Sequence, residues 1–285
     1  MVDVQVDSGE LELSIRDLPT IPALIADALR VIDDPGSSRA EIESVVQRDQ
    51  SLTAQLLRVV NSAAYGFSRR IESVREASIM LGTRKIKGIA GAMVAANLYA
   101  QPMAGLVDPL ELWTHALAAS TWAMEIIDFK RLWHAQSAVV AALLHDLGIV
   151  LLCQYATDRY REVLETSRRE KLHHVLVEQR VFRTTHAAIG AKLCAKWLMP
   201  VGLTQLVNGH HSPDCPTDDA LGVVMLADHL AYESGLKPFG WSVAPRMPEG
   251  VCDSLGFEKG EYEALQARKD SVIDRTKALL DSTGA

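Results

Sequence analysis

No CxxC pair occurs in this chain of 285 residues, and its four cysteines, Cys153, Cys194, Cys215 and Cys252, stand far apart. Three of them lie in apolar or helical surroundings, so they read as reduced thiols of a cytoplasmic protein. The first residues, MVDVQVDSGELEL, lack the basic start and apolar stretch of a secretory signal. The longest apolar runs, 89–99 and 138–153, are interrupted by Asn97 and by His145–Asp146, and neither reaches the length of a membrane span. Lys and Arg number 29 against 36 Asp and Glu, a net charge of −7. That balance argues against a nucleic-acid-binding face, which needs cations to displace counterions. It leaves room for a small anionic ligand in a local pocket. Internal repeats and low-complexity segments are also missing, while 48% hydrophobic residues suffice for a sizeable core.

Alternating β-branched runs are absent too, so no sheet is expected and the chain reads as all-α. In PALIADALRVIDD, Leu24, Ile25, Ala28, Leu29 and Ile32 share one helical face. Ser38-x-x-Glu41 and Ser73-x-x-Glu76 read as capping boxes, and Gly82 is placed to stop the second of these helices. Thr83 opens an Ala-rich helix reaching about Tyr99, and Asp108–Pro109 opens another through about Ile127. Helices are then expected near 135–153, 158–182 (whole or broken), 184–198, 201–211, 218–234 and 258–281. The loop 99–109 is the best internal boundary, giving an N-terminal helical unit, 1–105, and a C-terminal one, 106–285. A second loop, 236–257, carries three prolines and reads as a lid, a partner surface or a connector.

All nine histidines lie between positions 115 and 229. Singly, each has a bland reading. His115 suits a hydrogen-bonded core or boundary residue on a helix, His145–Asp146 a buried ion pair, and His210–His211 a helix C-terminus. His134, His173, His174 and His229 read as surface or packing residues. Taken in order, His115, His145, Asp146, His186, His210, His211 and Asp228 fall on successive helices or their ends. Antiparallel helices can aim such a set at one centre, and this mixture of imidazole and carboxylate suits zinc, iron or manganese.

This order resembles the HD superfamily of metal-dependent phosphohydrolases, whose H…HD…D pattern is matched by His115, His145, Asp146 and Asp228. His186 in THAAIGAKL and the pair His210–His211 match the further histidines of the HD-GYP cyclic-di-GMP phosphodiesterases. The whole chain is more specifically similar to the HDOD family of bacterial signalling proteins. The marks are LPTIP (18–22), DQSLTAQLLRVVNSAAYG (49–66), ASIMLGTRKIKGI (77–89), LLHDLG, HAAIGAKLCAKWLMP and HH, in that order. Two departures bear on activity. HD-GYP enzymes have Lys at the position of Ile149, and their GYP segment is replaced here by SPDCP.

The resemblance implies an N-terminal helical bundle packed on an HD-like bundle with a site for two divalent ions, Fe, Mn or Zn. The ligands would be His115, His145, Asp146, His186, His210, His211 and Asp228. Asp146 would bridge the ions and be the catalytic residue of any phosphohydrolase activity on a signalling nucleotide. The other implied role is regulatory, with signalling proteins or a small phosphorylated ligand as partners. The basic cluster Arg84, Lys85 and Lys87 reads either as part of a docking face or as a solvated helix face.

Overall fold

The computed structural model describes residues 23–34, 36–216 and 218–283. LPTIP, at 18–22, lies outside them. Every regular element among the described residues is helical. The N-terminal set comprises α1 (Ala23–Asp33), α2 (Arg39–Gln47), α3 (Gln50–Val60), α4 (Val74–Leu81) and α5 (Thr83–Tyr99). Local chemistry explains these boundaries. Both halves of the Ser38–Glu41 capping box form at α2. At α4 Ser73 accepts the Glu76 N–H, but the Glu76 carboxylate takes the N–H of Glu72 instead, so the box is shifted by one residue. Gly82, at φ 81°, ends α4 and starts α5. Asn61 pins the loop after α3, donating to the Leu57 and Ile71 carbonyls and accepting from Ile71 N–H.

The second set begins with α6 (Pro109–Lys130), capped by Asp108, and continues with α7 (Ser137–Leu144), α8 (Leu147–Tyr155), α9 (Thr157–Glu170) and α10 (His174–Phe182). It then runs through α11 (His186–Lys196), α12 (Val201–Gly209) and α13 (Asp219–Glu233). Three more helices follow the long loop: α14 (Val251–Ser254), α15 (Glu261–Gln266) and α16 (Lys269–Thr283). Helix α6 is the axis of the molecule, packed on α5, α7, α13 and α16. One hydrophobic cluster runs through both sets, and α16 returns to pack on α3, α5 and α6.

The run 133–155 is long and apolar enough for a membrane span by composition, with mean hydropathy 1.8, but 89% of that window is buried inside the protein. It is core. The single helix expected at 135–153 is two, broken at His145–Asp146, so that both side chains sit at helix ends. The expected 158–182 helix is likewise broken, with Lys171 at φ 54° closing α9. The basic cluster is occupied within the chain: Arg84 and Lys85 face Asp128, Arg84 also lies over Trp133, and Lys87 bonds the Asp34 carbonyl.

Candidate metal centre

Helix α8 can deliver Asp146 to the centre only because Gly148 follows it. A Cβ at Gly148 would lie 1.9 Å from the His186 carbonyl oxygen, and one at Gly190 would meet Gly148 N at 3.3 Å. The crossing of α8 and α11 is therefore backbone against backbone, and it brings Asp146 beside His186. His115 arrives from the middle of α6, His145 from the end of α7, His210 and His211 from the end of α12, and Asp228 from α13.

All seven predicted residues converge. Six are at most 3% exposed, and His211 is half-buried. The two oxygens of Asp146 face different imidazoles. Oδ2 lies 3.5 Å from His115 Nε2 and 3.3 Å from His145 Nε2, while Oδ1 lies 3.2 Å from His186 Nε2 and 4.0 Å from His210 Nε2. Asp228 Oδ1 joins the first group, 3.1 Å from His115 Nε2 and 3.8 Å from His145 Nε2. His211 joins the second, its ring 4.0 Å from that of His210 and 5.0 Å from that of His186.

The remaining ring nitrogens fix the tautomers. Nδ1–H donates to a carbonyl at His115 (Leu236, 2.8 Å), His145 (Ala142, 2.8 Å) and His210 (Val207, 2.7 Å), and to the Glu178 carboxylate at His186 (2.7 Å). Each Nε2 is thereby left to present a lone pair inwards. Two of these, on His186 and His210, face each other at 3.3 Å. His115 Nε2, His145 Nε2 and Asp228 Oδ1 are buried without a hydrogen bond of acceptable geometry. Acceptors gathered face to face repel unless a cation or a proton lies between them.

The spacing suits a cation. Two ligands each about 2.1 Å from one ion stand about 3.0 Å apart at a right angle and about 3.4 Å apart at a tetrahedral angle. The closest pairs here, from 3.1 to 3.5 Å, fall in or beside that interval. The site can hold metal. Without one, protons take its place. Burial would suppress the charge on His145, but Asp146 and then Asp228 outweigh it and push the pKa up to about 9. His186 is pushed up to about 10 because Glu178 and Asp146 overcome its burial. Asp146 stays well below the usual carboxylate range, with His145 and His186 outweighing its desolvation. His210, buried and next to those two imidazoles, falls to about 3.

Sequence reasoning sets aside two residues that border this centre and overlooks a third. His173 and His174 are buried, and the His174 ring lies 4.9 Å from that of His186. Glu178, wholly buried, accepts both the backbone N–H and Nδ1–H of His186 and also the Tyr160 hydroxyl. The four-residue spacing of His174 and Glu178, which shares a helix face, is the signal that could have found them. His134 and His229 do lie near the surface, paired with Asp219 and Glu233.

The profile of the HDOD domain family matches residues 18–213. The chain belongs to the HDOD family. An HDOD domain protein of unknown function from Geobacter sulfurreducens has the same fold, with a TM-score of 0.74 at 23% identity, covering 96% of this chain and 98% of that one. A Shewanella amazonensis protein, provisionally named a phosphohydrolase, superposes with a TM-score of 0.70 at 19% identity, covering 95% of this chain and 98% of its own. An uncharacterised Treponema pallidum protein is 22% identical over 227 residues, which are 76% of this chain and 43% of that protein. The HDOD chain thus spans less than half the length of this curated relative. Beside these likenesses, Ile149 of the HDOD chain is fully buried among aliphatic neighbours. No cation stands at that position to grip a phosphate.

Proposed function

We propose that this HDOD protein is a bacterial signalling module that holds two divalent ions, Fe, Mn or Zn, and acts mainly by binding a ligand or a partner protein. The observation that carries the metal reading is the Asp146 carboxylate, whose two oxygens address two separate sets of imidazoles. His115, His145 and Asp228 would hold one ion, His186, His210 and His211 the other, with Asp146 shared. Two features favour binding over turnover. The ligands are almost wholly withdrawn from solvent, and the position that would carry a phosphate-gripping lysine in HD-GYP enzymes is a core isoleucine. The reduced, unpaired cysteines support a cytoplasmic location.

A second reading, metal-dependent phosphohydrolysis, is favoured by the completeness of the ligand set. Divalent ions bound there would supply Lewis acidity for phosphoryl transfer. The chain's own part would be to hold Asp146 ionised and to fix the imidazole tautomers through Glu178 and three backbone carbonyls. One experiment separates the readings: purification without chelator, elemental analysis for Fe, Mn and Zn, and turnover of a generic phosphodiester. Near-stoichiometric metal with no turnover supports the binding module. Turnover that Asp146→Ala abolishes establishes the enzyme.

A further inference from the structure

One buried group beside the metal centre has no part in it. His174 is 2% exposed, and neither of its ring nitrogens has a hydrogen-bond partner. An imidazole always carries at least one N–H, and a neutral one also carries a lone pair, so both capacities go unmet in a place without water contact. Such double frustration calls for an occupant.

The neighbours show where that occupant would sit. The His174 ring packs against His186 (4.9 Å), His173 (4.2 Å) and Phe239 (5.1 Å). Its companion His173 is already satisfied: Nδ1 accepts the Val175 N–H, so Nε2–H donates to the Tyr232 hydroxyl at 3.1 Å. Glu178 already accepts three donors, two on Oε2 and one on Oε1. With His174 and His186 it could also gather a metal ion, the alternative that metal counting distinguishes. His211 Nδ1 is unpartnered as well, but only His174 has both ring nitrogens unmet among the histidines packed on His186.

We propose that His174 is an oxyanion-contacting residue, donating its N–H to a small tetrahedral anion of the phosphate class that enters beside His186. The inference rests on the metal-centre reading and deepens it. A neutral imidazole there offers a hydrogen bond where an HD-GYP enzyme would offer a lysine from the position of Ile149. Recognition by a neutral donor gives directional contact without a permanent charge in the core. It suits a site that binds and reports a phosphorylated ligand.

The test uses the full chain, loaded with Mn, and inorganic phosphate as the probe. Calorimetric titration of wild type, His174→Phe and His174→Gln is paired with metal counting on each. The expected result is two ions per chain in all three proteins, with phosphate affinity at least tenfold weaker for His174→Phe and partly kept by His174→Gln. Phosphate should raise the melting temperature of the wild type and leave that of His174→Phe unmoved, a difference that a packing role alone would not produce. If His174→Phe fails to fold, the His174→Gln titration decides by the same criterion of weakened phosphate binding with unchanged metal. Equal phosphate affinity in variant and wild type, or none in the wild type, overturns the proposal while leaving the metal centre standing. A third ion in the wild type that His174→Phe loses shows instead a cation at His174, and also overturns it. A wild type that takes up no metal ends both readings.

Discussion

Replacing Glu178 by Gln isolates one link in the chain from fold to metal. The Glu178 carboxylate accepts the backbone N–H and Nδ1–H of His186, each at 2.7 Å, and the Tyr160 hydroxyl at 3.3 Å. A glutamine fits the same space, with its carbonyl towards His186 and its amide towards Tyr160, whose hydroxyl can turn to accept. The fold therefore survives, and what is lost is the negative charge behind the imidazole. Carboxylates in this relation to a metal-binding histidine strengthen its lone pair, and removing one costs about 10–100-fold in metal affinity, or about 1.4–2.7 kcal/mol. The assay is competition between the protein and a fluorescent chelator for Zn or Mn at neutral pH, with circular dichroism confirming an unchanged helical content. Affinity within twofold of the wild type would refute the claim that Glu178 tunes His186.

Other consequences follow from the same geometry. Gly148→Ala puts a methyl group 1.9 Å from the His186 carbonyl, so α8 and α11 must separate; a large fall in melting temperature and loss of metal binding are expected, and a stable, metal-replete variant would contradict the close crossing. Ile149→Lys does not restore a phosphate grip, because the position is fully buried among aliphatic groups; it destabilises by several kcal/mol, on the order of the cost of an unpaired buried charge, read as an early urea midpoint. The metal-free protein holds protons on His145 and His186, whose pKa values are raised to about 9 and about 10. Their contribution to stability is complete below the ordinary histidine value of about 6.5 and is lost as pH rises through 9 and 10. Metal loading displaces those protons, so affinity strengthens with pH across that window; calorimetry at pH 7.5 in two buffers of different ionisation enthalpy should detect proton release, and identical heats would count against it.

How far the residues announce this arrangement differs between elements. Helix caps are local, so the roles of Ser38, Asp108 and Gly82 are legible in the amino-acid sequence alone. The seven ligand-type residues are legible as an ordered set, because order along the chain survives folding even where distance does not. The break at His145–Asp146 is not. The apolar pattern runs on through Cys153, and only the approach of α11 to Gly148 shows why the chain must interrupt it. His173, His174 and Glu178 are hidden for a related reason. In HHVLVEQ the four-residue spacing marks His174 and Glu178 as sharing a helix face, but that this face meets histidines of other helices rather than water is set by tertiary packing. The capping box expected at Ser73 is off by one residue, since Glu72 and Ser73 offer competing N–H groups to the same carboxylate.

The central claim is that the Asp146 carboxylate stands between two cations. Anomalous diffraction from crystals of the protein purified without chelator, recorded on both sides of the Fe, Mn and Zn edges, tests it most directly. Two peaks per chain are expected, one beside His115, His145 and Asp228 and one beside His186, His210 and His211, with Asp146 between them. A map without peaks there, in crystals grown with excess Mn and Zn, would contradict it.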